Sequence, residues 1–552
     1  MKHINFSILS LLKYTVPAVL VVCVFQTSMA AVARPVLKWR YGGCYSSWCE
    51  TGWYSSPAVA DLDGDGRQEI IASAYSIVVL NGATGVLQYR LASGHDRSEP
   101  GAASVGRTWP GIVVADVDND GKLEIITAHS GGYVSVYDNR GYFQTGWPKR
   151  PVSNELRGLS VADLDNDGTA EIVVTGAVYG KTNTWVYEHS GNLRSGWPQL
   201  NNNSGYSYGV FNDNAWVADI NGDGRGEIIV PSDVHYICAY NQHGVQLPTH
   251  SQYGGKGWGQ VGVWENQAVE LRGWGDCSTT RAERYRANLA HGAAVVSDVD
   301  NNGSMEIVVT GNMYDCAQGH PPGKYTPLYI FNADRSRFFT GEWDWREPAK
   351  DTGAPLSENY GQIENCQPNP VVVDIDSDGR KEILFPSYDG KMHCLWLDKK
   401  EHHNWPYSVS KSAEGFIRFA SEPVIADLDH DGMAEVIFVS WVEKKSSGAV
   451  RLGKLHILDY RGNVIHELNL PSPRSAGVFW NGALAAPTIA NIDNDPDLEL
   501  VINTTAAGIV AYDLPGSSGA KVFWHTGRNK QYGHLFHKTA VAPVLLPLLL
   551  QK

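Results

Sequence analysis

The stretch Val59–Ser73, VADLDGDGRQEIIAS, places aspartates at alternate positions 61, 63 and 65, then Gly66, then Glu69, and runs straight into a β-branched string. Carboxylates this close repel one another. A cation that gathers them is the simplest account. An apolar run ends at the first aspartate and another begins at the glutamate, so the acidic segment reads as a tight loop joining two strands.

The pattern returns at Asp116, Asp163, Asp219, Asp298, Asp374, Asp427 and Asn491, with successive copies 47 to 79 residues apart. A third apolar run and a hairpin follow it, as in SIVVLNGATGVLQYR (76–90), YVSVYDNRGYFQTGWP (133–148), TWVYEHSGNLRSGWP (184–198) and LHILDYRGNVIHELNLP (455–471). Asn-Gly, Arg-Gly and Ser-Gly at the tips are hairpin turn chemistry. Each unit is therefore four antiparallel strands with the acidic loop between strands one and two. Such a sheet cannot bury both faces alone, and a closed ring of them can. The expected fold is an all-β propeller of eight blades, or of seven if the first and last copies share one.

Numbered from its first residue, each loop offers side-chain oxygens at positions 1, 3, 5 and 9 and a backbone carbonyl at position 7. The sets are Asp61, Asp63, Asp65, Arg67 and Glu69; Asp116, Asp118, Asp120, Lys122 and Glu124; Asp163, Asp165, Asp167, Thr169 and Glu171; and Asp219, Asn221, Asp223, Arg225 and Glu227. The later copies give Asp298, Asp300, Asn302, Ser304 and Glu306; Asp374, Asp376, Asp378, Arg380 and Glu382; Asp427, Asp429, Asp431, Met433 and Glu435; and Asn491, Asp493, Asp495, Asp497 and Glu499. Oxygen ligands at alternate positions around a glycine turn suit Ca2+, which takes 6–8 oxygens in flexible geometry. An EF-hand would need an acid at position 12, where Ala72, Thr127 and Val174 stand. Mg2+ prefers to keep its waters. The fifth loop, with Asn302, and the eighth, with Asn491 and with Pro496 in the glycine's place, are the weakest.

Charge agrees with this reading. About half of the 59 acidic residues sit in these loops, and the net charge is −14. Removing Lys2 and Lys13 with a leader deepens it by two, and eight Ca2+ would neutralise the result. An acidity consumed by metal leaves no nucleic-acid-binding surface.

The N-terminus reads as a secretory signal over 1–30. Lys2, His3 and Lys13 precede an apolar run from Val16 to Phe25, and cleavage is expected after Ala30 or Ala33. The mature chain then has no transmembrane helix, and the apolar tail 535–552 is too short to span a bilayer. Seven cysteines remain after the leader. Cys44 and Cys49 are spaced to bridge in an oxidising compartment. Two of Cys277, Cys316 and Cys366 are also able to pair, while Cys238 and Cys394 read as buried small hydrophobes.

Taken together, the loops resemble those of the FG-GAP/VCBS-repeat family, whose propeller is similar to the integrin α-chain head. The resemblance covers roughly 36–534. It implies a calcium-stabilised ring, closed when the early strand VLKWRYGG (36–43) pairs with the last blade. KVFWHTGRNKQYGHLF (521–536) resembles the segments that finish such rings.

In propellers the loops between strands one and two share one face. The long insertions Gln242–Ala293, Asn312–Thr326 and Thr340–Gln367 are expected on the other. They carry Trp258, Trp264, Trp274, Trp343 and Trp345 among charged residues, a composition suited to a sugar or peptide. The expected function is that of a secreted, periplasmic or cell-surface adhesion module holding a glycan or protein ligand. The alternative is a polysaccharide lyase, since some relatives of this fold are lyases. No HExxH motif is present, and no RGD adhesion motif.

Overall fold

The structure is a computed structural model. It describes residues 31–529 except 46–47, 50–51, 179–181, 200–214, 233–235, 273–279, 290–291, 317–325, 358, 360–363 and 365–367. The proposed signal (1–30), the apolar tail and Trp274 lie outside the described residues.

Eight small antiparallel sheets form an eight-bladed propeller. Blade 1 is Ala58–Ala60, Glu69–Ser73, Ser76–Asn81 and Leu87–Ala92. The first strand of every blade but the third has only three or four residues, because its loop begins as soon as the chain reaches the rim. In blades 1 to 7 the second strand starts at the loop glutamate itself, as at Glu124–Ala128 and Glu382–Pro386. Both faces of these inner strands are buried, which explains their uninterrupted β-branched runs. The fourth strand expected in blades 2 to 4 is reduced to single bridges, such as Tyr137 to Phe143 and Tyr187 to Leu193.

Two terminal segments complete the ring. Val36–Tyr41 pairs antiparallel with Gly508–Leu514 as the outer strand of blade 8, the closure expected from VLKWRYGG. Lys521–Trp524 pairs with Val424–Asp427, the innermost strand of blade 7. The C-terminal segment therefore lies inside the ring. There the Trp524 ring stacks on Trp216 of blade 4 at 6.0 Å, and the Ile489 N–H of blade 8 donates to the His525 carbonyl at 2.9 Å.

Tryptophans tie neighbouring blades together. The indole N–H groups of Trp39, Trp147, Trp197, Trp345 and Trp405 donate to the carbonyls of Gly82, His189, Gln242, Leu397 and Tyr460 at 2.8–3.2 Å. Each accepting carbonyl belongs to the next blade's hairpin. Gly85 lies so close beneath the Trp39 ring that a Cβ would stand 2.5 Å from it, and its φ is +66°. A side chain there would open the seam between the last blade and the first.

Candidate metal centres and the two faces

The acidic loops share one construction. In all eight, Oε2 of the position-9 glutamate accepts the N–H of position 2 at 2.7–3.0 Å, from Leu62 in the first copy to Ile492 in the eighth. The side chain at position 5 accepts the N–H of position 7 at 2.7–3.0 Å in every copy. In seven copies the glycine at position 6 has φ between +83° and +95°, a region open to glycine. Position 4 in those copies also has positive φ, which accounts for Gly64, Asn119, Asn166, Gly222, Asn301, Ser377 and His430 there.

In loops one to five both oxygens of the first aspartate also accept backbone N–H groups of the loop, as Asp61 does from Asp65 at 3.0 Å and Gly66 at 2.9 Å. Asp61, Asp63 and Glu69 bring ligand atoms within 4.8 Å of one another, as do Asp116, Asp118 and Glu124, and Asp298, Asp300 and Glu306. Asp118 Oδ1, Asp165 Oδ1, Asp300 Oδ1, Asp374 Oδ1, Asp427 Oδ1, Glu171 Oε1 and Glu382 Oε1 are buried without a hydrogen-bond partner. A buried anionic oxygen left so is costly, and a hard cation accepting several of them removes the cost. The residues present therefore fit a Ca2+-type ion. Every position-9 glutamate is at most 3% exposed. Burial above all pushes these glutamates up: to about 7 at Glu124, Glu227, Glu306 and Glu499, about 8 at Glu171 and Glu435, and about 9 at Glu382.

The eighth loop departs from the rest. The Lys38 ammonium, from the closing strand, sits among Asp493, Asp495 (3.3 Å) and Glu499 (2.8 Å). In the third loop, Arg194 reaches Asp165 at 2.5 Å and Glu171 at 3.0 Å. The aligned hairpins GVLQ (85–88), GYFQ (141–144) and GNLR (191–194) carry the signal for Arg194. Nothing in the loop motif points to Lys38.

Of the five tryptophans expected to bind ligand, three are buried. Trp258 and Trp345 are fully buried and Trp264 is 4% exposed. Trp345 is one of the inter-blade ties, and Trp258 packs behind the third strand of blade 4. Trp343 is half-buried, but it lies on the loop face, 5.2 Å beneath the Arg380 guanidinium of loop six. It borders a cleft of about 560 Å3 with Glu342, Arg346 and Lys399. Thr340–Lys350 was misplaced because it runs with the outer edge of blade 5, where Phe339 bridges Asp344, instead of leading into blade 6.

On the opposite face, segments entering strand one gather a cluster that the sequence did not single out. The Arg107 guanidinium lies 4.0 Å from the Trp109 ring and 5.3 Å from Trp53, and Arg157 lies 3.8 Å from Trp109. Tyr54 stacks on Trp109 at 4.2 Å and donates to Glu364 at 2.5 Å. Lys444 pairs with Glu364 at 2.7 Å and lies 5.3 Å from Trp53. Blades 1, 2, 3, 6 and 7 all contribute.

Cys44 and Cys49 stand directly opposite in a two-stranded ribbon, a backbone spacing that a disulfide can bridge. Cys316 is disulfide-bonded. Cys238 and Cys394 are buried free thiols. Among the described residues no helix is long and apolar enough to cross a membrane.

With this geometry in view, residues 116–174 and 163–230 each match the model of the FG-GAP-like repeat. The chain carries FG-GAP-like repeats. The two matched stretches cover the second, third and fourth loops, and the other five acidic loops share their hydrogen bonds. No curated protein sequence matches the chain. Among solved structures it is similar to the V. cholerae biofilm matrix protein Bap1, at 13% identity over 88% of this chain and 92% of that one, TM-score 0.45. It is similar to the exotype rhamnogalacturonan lyase YesX, at 17% over 87% and 75%, TM-score 0.48. A Bacillus licheniformis rhamnogalacturonan lyase follows at 15% over 87% and 74%, TM-score 0.40. At these identities the likeness concerns the fold.

Proposed function

We propose that this chain is an exported calcium-binding propeller that holds a glycan or protein ligand on the face opposite its acidic loops. The observation that carries the reading is the cluster of Trp53, Tyr54, Trp109, Arg107, Arg157 and Lys444. Aromatic faces offer area to a sugar ring or a side chain, and the half-buried Arg107 guanidinium offers forked donors to its oxygens. The loops act as scaffold, since each ion would join strand one to strand two of its blade.

A glycan array that includes acidic polysaccharides tests this. Binding is expected, and Arg107→Ala and Trp53→Ala are each expected to weaken it at least tenfold while the folded circular-dichroism spectrum is kept. Binding untouched by either substitution would move the site elsewhere. New absorbance at 235 nm on a uronate polymer would replace the binding reading with a lyase.

A further inference from the structure

The loops are not equivalent in what they need, and the difference comes from one position in each blade. In blade 1, Gln88 sits in a bulge, because Val79 pairs with Tyr89 and Leu80 with Leu87. From there its amide donates to Glu69 Oε1 at 2.9 Å. Gln144 does the same to Glu124 Oε1 in blade 2, at 3.1 Å. In blade 3 this residue is Arg194. In blade 8 it is Lys38, for Tyr512 pairs with Leu37 and Ala511 with Trp39, leaving Lys38 in the same bulge. Blades 4 to 7 place Leu247, Phe338, His402 and Ile465 there, none of them a fixed cation.

We infer that Arg194 and Lys38 are resident counter-ions that replace the metal in the third and eighth loops, so that the ring takes six calcium ions and not eight. This rests on the reading of the loops as calcium sites. A glutamine at the bulge adds no charge beside the glutamate, and the cations of loops one and two, Arg67 and Lys122, are exposed and pair with the position-5 aspartate at 2.7 Å. Arg194 and Lys38 instead put a formal positive charge 3.0 Å and 2.8 Å from the glutamate Oε1. Arg194 is 7% exposed and its Nε donates to the Gln242 carbonyl at 3.1 Å, so it is anchored in place.

The two cases differ in reversibility. Loop three keeps Asp163, Asp165, Asp167, Gly168 and Glu171, a full set. Loop eight has Pro496 where the other seven have glycine at positive φ, and proline holds φ near −65°. Loop eight cannot wrap an ion even when emptied. Lys38 also lies on the strand that closes the ring, so the closure is latched without calcium.

Native mass spectrometry in calcium counts the ions directly. Six are expected for the wild type, seven for Arg194→Gln, which gives blade 3 the arrangement of blades 1 and 2, and six for Lys38→Gln. Lys38→Gln should also melt at a lower temperature that added calcium does not restore. A wild-type count of seven or eight leaves the loops as calcium sites and overturns the resident cations alone. A count of zero overturns the metal reading itself, and this inference with it. A seventh ion in Lys38→Gln, or recovery of its melting temperature by calcium, overturns the latch.

Discussion

In chelator, the melting temperature of this protein is expected to fall as pH rises from 5 to 8, and in millimolar calcium it is expected to hold or rise. The buried position-9 glutamates set the sign. Their ordinary value is near 4.5, and in the folded chain they stand at about 7 to 9. Between those values the folded state binds more protons than the unfolded one, so stability falls with rising pH. The contribution is fully present below pH 4.5 and is lost as pH climbs through the folded values. A bound cation reverses this, because it requires the deprotonated ligands and competes with protons for them. Extracellular calcium modules bind at about 10⁻⁴–10⁻³ M. At about ten times Kd each filled loop adds about 1.4 kcal/mol, or about 8 kcal/mol over the six loops without a resident cation. Differential scanning calorimetry across pH, with EDTA and with 10 mM calcium, gives the two curves. Parallel curves would mean the loops hold no ion.

How much of this was legible beforehand depended on whether the information was local. The loop motif is local: nine residues hold the turn, the ligands and the strand starts, so eight blades and forty candidate ligands were readable. Ring closure was readable as well, since Val36–Tyr41 is an orphan strand outside the repeat. Trp345 was misread because its indole N–H bonds across blades to Leu397, and a single repeat does not display its neighbour. The resident cations were missed for the same reason. Lys38 is 455 residues from Asp493 in sequence and in direct contact with it in the fold. The Arg107–Trp109–Arg157 cluster draws on several short connections, none of which is distinctive alone.

The axis of the ring carries the second large expected effect. Glu422, 3% exposed, accepts from the Trp524 indole N–H at 3.1 Å, from the Arg528 backbone N–H at 2.6 Å and, through its other oxygen, from Asn369 at 2.9 Å. The Arg528 side chain, 2% exposed, lies 4.9 Å from the Trp216 ring and donates to the Ala294 carbonyl. One carboxylate thus joins blades 6 and 7 to the C-terminal segment, and that segment reaches blades 4, 5 and 8. Glu422→Ala removes the charge facing a buried guanidinium and should cost about 3–5 kcal/mol. Glu422→Gln keeps the packing and an acceptor, and should cost less. Trp524→Ala empties the volume beside Trp216 and should cost about 3–5 kcal/mol. The bonds of Glu422 go to Trp524, Arg528 and Asn369 and not to loop side chains, and the C-terminal strand meets loop seven through the pairing of Lys521 with Asp427. The losses should therefore be nearly the same in calcium and in EDTA, adding to the metal effect with little coupling to it. Urea denaturation of the three variants, each with and without calcium, measures both. A Glu422→Ala loss that calcium abolishes would show that the axis and the loops form one unit, with the C-terminal segment held by the blades' ions and not by its own contacts.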